Sequence, residues 1–203
     1  MSTPLLDIAE LTPGARRVLD AASDLFYERG IHAVGVDTIA EVAGVTKKTL
    51  YDRFGSKEAL VVAYLQNRDI RWRTHLDAHL AGVPARGFDR VLAVYDAALS
   101  WTGDHSYKGC SAINARAEIG QGNDSHPVFP EVARQKAWLL ELFVSLCREA
   151  GVADPVVAGE KLMLLYEGAI VTIGMETFTR SFELAREVAE SLLGASPAEQ
   201  PRD

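Results

Sequence analysis

Apolar residues recur every three to four positions along the chain, and no segment keeps a period of two for long. A repeat near 3.6 residues indicates amphipathic α-helices, whereas half-buried strands alternate. The first such face consists of Val18, Ala21, Ala22, Leu25 and Phe26. The pattern therefore predicts an all-α fold class.

Caps and breakers divide this periodic pattern into nine helices. Thr12 and Pro13 suit a first helical turn, Gly44 and Gly55 suit helix ends, and Ser56 suits an N-cap. The predicted helices span residues 13–30, 36–43, 47–54, 57–79, 88–101, 110–119, 127–150, 155–172 and 178–193.

The second and third predicted helices are short and are joined by a turn that contains Gly44. This is the pattern of a helix-turn-helix. On the third helix, Leu50 and Phe54 lie four residues apart and can pack inward. Lys47, Lys48 and Tyr51 share the opposite face, where a recognition helix meets the major groove.

The charge distribution limits the part of the chain that could bind DNA. The chain carries a net charge of −7, which argues against a generally basic nucleic-acid coat. Between Pro13 and Lys57 there are seven basic and six acidic residues. DNA binding therefore depends on a local patch in the stretch GVTKKTLYDRFGSKEAL, and a solvated helical hairpin without DNA binding is the alternative.

Other chemistries have weaker support. The sequence lacks a nucleophile elbow, a glycine-rich phosphate loop and an H-E-x-x-H motif, and its His and Cys spacings match no compact zinc pattern. We therefore expect no enzyme, cofactor or metal. Cys110 follows Gly109 at a predicted helix start, which would favour a thiolate and leaves a thiol-based redox sensor as an alternative.

Targeting signals are not apparent. The first residues lack an apolar leader core, and no apolar run approaches the ~18 residues that span a bilayer. We expect a cytoplasmic protein without membrane contact.

The run AASDLFYERGIHAVGVDTIAEVAGVTKKTLYDRFGSKEAL resembles the DNA-binding head of the tetracycline-repressor (TetR) family. The matching features are A-x-x-L-F-x-x-x-G, I-A-x-x-A-G-V-T, T-L-Y-x-x-F and S-K-E-A-L, in that order over residues 13–65. The resemblance implies an all-helical repressor with a three-helix head. A fourth helix would link the head to a helical body that dimerises and usually carries a small-molecule pocket.

Carried over to this sequence, the resemblance assigns DNA contacts to six residues. In the major groove these would be Thr46, Lys47, Lys48 and Thr49, and at backbone phosphates they would be Tyr51 and Lys57. The family commonly has Ser or Thr where this chain has Gly35, so one phosphate contact is lost. Thr38 either replaces it or forms a capping box with Glu41, and we favour the capping box.

The sequence pattern and the resemblance together divide the chain. We expect a disordered arm over residues 1–11, a helix-turn-helix domain over 12–74, an effector-binding and dimerisation domain over 75–194, and a disordered tail over 195–203. The partners would be double-stranded operator DNA and a small, largely apolar effector.

The effector pocket can be predicted only by residue type, since pockets are mainly apolar with a few polar groups. The candidates are Tyr95, Trp101, Tyr107, Cys110, Asn114, Trp138, Met163, Tyr166 and Glu167. The alternative is that these aromatic residues simply fill a core. Apolar stripes over residues 156–193 predict a homodimer interface, and core packing within one chain is the alternative.

Overall fold

A computed structural model describes residues 10–84, 87–105, 108–120 and 125–194. All regular structure in these ranges is α-helical, which confirms the predicted fold class. The helices are α1 (Pro13–Arg29), α2 (Val36–Val42), α3 (Lys47–Phe54), α4 (Lys57–Ala81), α5 (Phe88–His105), α6 (Ser111–Ile119), α7 (Val128–Glu149), α8 (Pro155–Thr172) and α9 (Ser181–Gly194). None of them is long and apolar enough to cross a bilayer.

Side-chain caps explain why several helices begin where they do. The first N–H groups of a helix have no partner within it, so a hydroxyl or carboxylate at the N-cap satisfies one of them. Thr46 Oγ1 accepts from the backbone N–H of Thr49 at 3.1 Å, and Ser56 Oγ accepts from Ala59 at 3.1 Å. Asp154 serves α8 in the same way.

Helix α2 lacks such a cap. Its N-cap is Gly35, which makes no side-chain hydrogen bond and has extended backbone angles of φ −82° and ψ 156°. Thr38 therefore lies inside the helix rather than at its start. The predicted capping box of Thr38 and Glu41 is wrong, because a capping box requires its hydroxyl residue at the N-cap.

The described chain forms two compact units by packing. The first unit contains the chain up to Arg71 and the segment Ser111–Gln135. Within it, α1, α2 and α3 pack around fully buried Leu19, Ile39 and Leu50. These three helices are called the head below.

The second unit contains Trp72–Cys110 and the chain from Lys136 onward. Its core is aromatic: Tyr166 lies with its ring centroid 6.2 Å from Tyr95, 6.1 Å from Phe143 and 5.4 Å from Phe182. The Tyr95 hydroxyl donates to the Leu162 carbonyl at 2.7 Å, so this buried phenol is satisfied. Such tilted pairs are favoured by the ring quadrupoles.

These units are not continuous segments. Their boundaries fall inside α4, after Arg71, and inside α7, after Gln135. The predicted division at residue 74 runs along the chain and remains a prediction of functional domains. The predicted tail and most of the predicted arm lie outside the described residues.

Candidate nucleic-acid interface

Helix α3 presents two different faces, as its spacing predicts. Leu50 is fully buried against the head, whereas Tyr51 is 44% exposed. Lys47 and Lys48 lie in the first turn and are exposed. The buried face holds the helix in place, and the exposed face carries two cations and a phenol at the N-terminal end, where a recognition helix contacts bases.

Thr46 and Thr49 form a small hydroxyl pair at the start of α3. Their Oγ1 atoms lie 3.0 Å apart, while Thr46 Oγ1 also accepts the Thr49 backbone N–H. A hydroxyl has one hydrogen and two lone pairs, so a cap bond leaves capacity for a further contact. Thr46 therefore orients the helix and can still approach a groove.

Both lysines of α3 pair with exposed carboxylates. Lys47 Nζ lies 2.7 Å from Asp37 Oδ1, and Lys48 Nζ lies 2.7 Å from Asp52 Oδ2. The lysine side chains remain 50% and 82% exposed, respectively. Exposed pairs contribute only about 0–1 kcal/mol, so both cations can leave their carboxylates for a phosphate or a base at little cost.

Lys57 has a different environment from the one expected. Its Nζ donates to the Ile31 carbonyl at 2.7 Å and lies 5.9 Å from the Phe26 ring centroid. An ammonium has three donors, so this bond leaves two for a phosphate. The phosphate contact stays a prediction, and the structure adds a bond from Lys57 to the loop between α1 and α2.

The same loop is fixed by Glu118, which sequence reasoning missed. Its carboxylate accepts from the backbone N–H groups of Ile31, at 2.9 Å, and His32. Glu118 lies at the end of α6, 87 residues from Ile31, and no local pattern could indicate that pairing. Both ends of this contact belong to the first unit, so α6 and the head form one body.

A cavity of about 550 Å³ adjoins this contact. Its polar lining includes His32, Lys57, Glu58, Glu118 and His126. Burial lowers the pKa of His126, although the nearby Glu58 carboxylate acts in the opposite direction. A neutral His126 suits its role at the start of α7, where its Nδ1 accepts from the backbone N–H of Val128 at 3.2 Å.

The nine predicted pocket residues do not share one environment. Asn114 is exposed on α6 and belongs to the first unit, whereas seven others belong to the second unit. Tyr107 lies outside the described residues. The Tyr95 and Tyr166 rings are buried against each other, and Trp101 packs 5.9 Å from Trp72. These three aromatics fill the core, as the alternative reading allowed.

The other described candidates are half-buried. The Arg73 guanidinium lies 3.8 Å from the centroid of the Trp138 ring, a cation–π contact. Cys110 and Glu167 both contact Lys136, at 3.3 and 2.6 Å. Sequence reasoning missed Lys136, although a lysine in the apolar run KAWLLEL is a signal for a buried charge pair. A cavity of about 280 Å³ in this unit is lined by other residues, among them Leu99, Ile173, Phe178 and Phe182.

A buried recognition-helix face, exposed cations and an all-helical remainder define a helix-turn-helix protein. Residues 18–64 match the family of bacterial regulatory proteins described as tetR family. The crystal structure of SCO4454, a TetR-family transcriptional regulator from Streptomyces coelicolor, is 30% identical. The match covers 91% of this chain and 96% of that one with a TM-score of 0.82. The chain therefore belongs to the TetR family.

Named relatives agree with this assignment. The HTH-type transcriptional repressor KstR2 of Rhodococcus jostii is 30% identical over 160 residues, which cover 76% of this chain and 73% of that protein. The HTH-type transcriptional repressor NemR of Escherichia coli is 27% identical over 172 residues, covering 82% and 85%.

Other curated relatives match over less of their length. The HTH-type transcriptional activator FasR of Mycolicibacterium smegmatis is 45% identical over 67 residues. The chain spans 27% to 52% of the length of the first curated relatives that it matches.

Proposed function

We propose that the chain is a sequence-specific DNA-binding repressor that acts as a homodimer and leaves its operator when a small, largely apolar effector binds. The observation that carries the DNA-binding part is α3. Its Leu50 face is buried, and its first turn exposes Lys47 and Lys48. The relatives KstR2 and NemR, both named as transcriptional repressors, support repression rather than activation.

Two kinds of DNA contact are proposed. Thr46, Lys47, Lys48 and Thr49 would face base edges from the first turn of α3, since that end of a recognition helix enters the groove. Tyr51 and Lys57 would hold phosphates. Phosphate contacts set position but carry no direct sequence information, so the two groups are separable by experiment.

The homodimer is proposed through α8 and α9. Large apolar side chains stay exposed on both helices, including Leu164 at 74%, Val156 at 51% and Val188 at 50%. An exposed apolar patch of this kind favours association with a second apolar surface. A second copy of the chain supplies a matching patch, and two heads would then reach half-sites about 34–36 Å apart.

Dimerisation is tested by sedimentation at micromolar concentration. We expect a dimer for the native chain and a monomer after Leu164→Glu, which puts a charge into the proposed interface. Ile70→Glu is the matched control, since Ile70 is an exposed apolar residue of α4 at 38%. A native chain that sediments as a folded monomer contradicts the dimer.

The effector is proposed to bind in the second unit. Its cavity combines apolar side chains such as Leu99 and Phe178 with the hydroxyls of Thr102 and Ser181, which fits a largely apolar ligand with few polar groups. Allosteric coupling is typically about 1–3 kcal/mol, so an effector should weaken operator binding about 5- to 150-fold. Compounds that bind this unit without changing operator affinity would contradict release by an effector.

Sequencing the genomic DNA fragments that the purified protein retains tests the central proposal. We expect a recurrent, nearly palindromic site for the native chain. The variant Lys47→Ala/Lys48→Ala should lose this enrichment, while Arg148→Ala should keep it because Arg148 is an exposed cation of α7. Equal recovery of all fragments would favour a helical protein without sequence-specific DNA binding.

A further inference from the structure

The cavity of about 280 Å³ in the second unit is lined by both apolar and acidic side chains. The apolar part includes Ile173, Phe178 and Phe182, and the acidic part consists of Glu176 and Glu183. No lysine, arginine or histidine is among the described residues that line it. The lining therefore carries negative charge next to aromatic rings and has no cation to pair with an acidic ligand.

Glu183 contributes an unsatisfied carboxylate to this lining. Its Oε2 atom is buried and has no hydrogen-bond partner among the described residues. The arginines on either side of it in the sequence pair elsewhere. Arg180 contacts Glu187 at 2.5 Å, and Arg186 contacts Asp96 at 2.9 Å. A buried carboxylate oxygen without a donor is unfavourable, so a donor supplied by a ligand would be bound strongly at this position.

A ligand in the cavity can reach this carboxylate. The last side-chain torsion of glutamate is broad, so the group can turn and present either oxygen to a donor. The helix also holds the group in place, because Glu183 lies in the first turn of α9, directly after buried Phe182.

The hydroxyl of Thr102 adds a second acceptor to the lining. Its Oγ1 donates to the Leu99 carbonyl at 2.7 Å, which uses the only hydrogen of the group. The remaining lone pairs can accept a hydrogen bond, but the group has no further hydrogen to donate. A ligand that contacts Thr102 and Glu183 must therefore bring donors.

The aromatic residues favour a positive charge on that donor. A cation within about 6 Å of a ring centroid is attracted to the face of the ring, and both Phe178 and Phe182 line the cavity. A cation with N–H donors is an ammonium group, and the apolar lining suits an alkyl chain attached to it. Ligand sites usually measure about 300–1,000 Å³, so a cavity of this size suits a small molecule.

We propose that the second-unit cavity binds a small hydrophobic primary amine in its protonated form, with the ammonium group at Glu183 and the alkyl chain against Phe178 and Phe182. The role of this amine as an effector rests on the proposed function, whereas its binding does not. An alkylammonium group titrates near the lysine value of about 10.4, so the amine is a cation at pH 7. A carboxylic acid of the same length is excluded, because Glu176 and Glu183 would repel it.

Titration of the full chain with n-hexylamine, n-hexanol and hexanoate at pH 7, followed by amide NMR, tests the ligand class. The three probes share an alkyl chain and differ in the head group. The amine should bind more tightly than the alcohol by about tenfold or more, since hydrogen bonds to charged groups are the stronger ones, and hexanoate should bind most weakly. The shifted signals should come from residues 99–102 and 173–183.

Four outcomes of this titration would overturn the proposal. These are no binding of the amine, equal affinity for the amine and the alcohol, tighter binding of hexanoate, and shifts confined to other parts of the chain.

Glu183→Gln separates the charge of this side chain from its contribution to packing. It should weaken amine binding by about 10- to 150-fold and leave the affinity for hexanol nearly unchanged. Glu141→Gln is the matched control, since Glu141 is an exposed carboxylate of α7 that does not line the cavity. An unchanged amine affinity in Glu183→Gln, or an equal loss for amine and alcohol, would overturn the role assigned to Glu183. Circular dichroism checks that each variant is folded.

Failure of this inference and failure of the proposed function can be distinguished, because amine binding is measured without DNA. A chain that binds its operator but not hexylamine would overturn the amine site and leave the repressor function unaffected. A chain that binds hexylamine in the cavity with unchanged operator affinity would support the amine site and contradict release by an effector at this cavity.

Discussion

The two lysines at the start of α3 and Arg134 of α7 have carboxylate partners in opposite kinds of environment. Lys47 and Lys48 pair with Asp37 and Asp52 on the open surface. Arg134 of α7 pairs with Asp69 at 3.0 Å and with Glu131 at 2.6 Å. Asp69 and Glu131 are only 8% and 4% exposed, so their charges are largely removed from water.

The difference shows which charges are available for binding. An exposed pair is weak and reversible, so α3 keeps its cations free to exchange partners. A buried carboxylate without its cation is strongly unfavourable, so Arg134 stabilises the fold and is not available to bind another group. Lys47, Lys48 and Arg134 all carry a positive charge, and the burial of their carboxylate partners decides whether that charge stabilises the fold or stays available for binding.

The largest expected effect comes from removing Arg134, the cation that pairs with the two buried carboxylates. Arg134→Met should lower the free energy of unfolding by about 3 kcal/mol, because two buried carboxylates lose their positive partner. We expect the lower end of the usual range because Gln66 and Gln135 still donate to Glu131. Urea unfolding at pH 7 measures it.

Lys48→Met is the matched control on α3, with an expected change below about 1 kcal/mol. Equal decreases in the free energy of unfolding would mean that Arg134 and Lys48 do not differ in their contribution to stability.

The second largest effect is a dependence of stability on pH that comes from the buried thiol of Cys147. Burial raises the Cys147 pKa from 9.0 to about 11, so the folded chain keeps its proton where the unfolded chain loses it. The resulting stability is present below pH 9 and is lost as pH rises to 11, by up to about 2–3 kcal/mol. Unfolding of the native chain and Cys147→Ala over this range should show a shallower loss in the variant. Parallel pH profiles would contradict the shift.

The third effect separates the roles of two lysines on DNA. Lys48→Ala should weaken operator binding by about 1–3 kcal/mol if it reads a guanine, and should affect random DNA less. Lys57→Ala should weaken both DNAs similarly and reduce the salt slope by about one unit per half-site, since one fewer counterion is released. Binding isotherms at several salt concentrations measure both.

A Lys48→Ala variant that loses equal affinity on both DNAs would make Lys48 a phosphate contact. If neither variant changed binding, α3 would not be the recognition helix.

The smallest effect tests whether the α3 pairs restrain their lysines. Asp52→Asn should strengthen binding to the operator by about 0.2–1 kcal/mol and binding to random DNA by less, because it releases Lys48 and removes a negative charge that repels phosphate. Glu141→Gln, on the exposed surface of α7, is the control. Weaker binding in Asp52→Asn would mean that the pair orients Lys48 instead of holding it back.

The bounds of a helix could be predicted from the sequence where a capping residue next to the helix determines its first turn. The bounds of α3 and α8 agree with the prediction because Thr46 and Asp154 cap them. Helix α9 begins at Ser181 instead of residue 178, and α5 continues to His105 instead of ending at 101. Exposed Phe178 continued the apolar pattern without being helical, and Gly103 did not end α5.

The candidate site was also predictable only where it depends on residues close together in the chain. The two faces of α3 follow from spacing along one helix, so the sequence contains them. The contact of Glu118 with Ile31 joins residues far apart in the chain, and the Lys136 cluster joins three elements. The pocket prediction depended on residue type alone, and residue type does not distinguish aromatics that pack on one another from aromatics that line a cavity.

Gly35 leaves room for tighter DNA binding to evolve in the proposed repressor. Its φ of −82° is open to any residue, and a Cβ there would meet no atom within 4 Å. Serine at this position would add the hydroxyl that the family commonly has, without repacking the head, and would cost or gain only a few tenths of a kcal/mol in the helix cap. Selection for tighter DNA binding could therefore act at position 35 alone, without changing the base contacts proposed for α3.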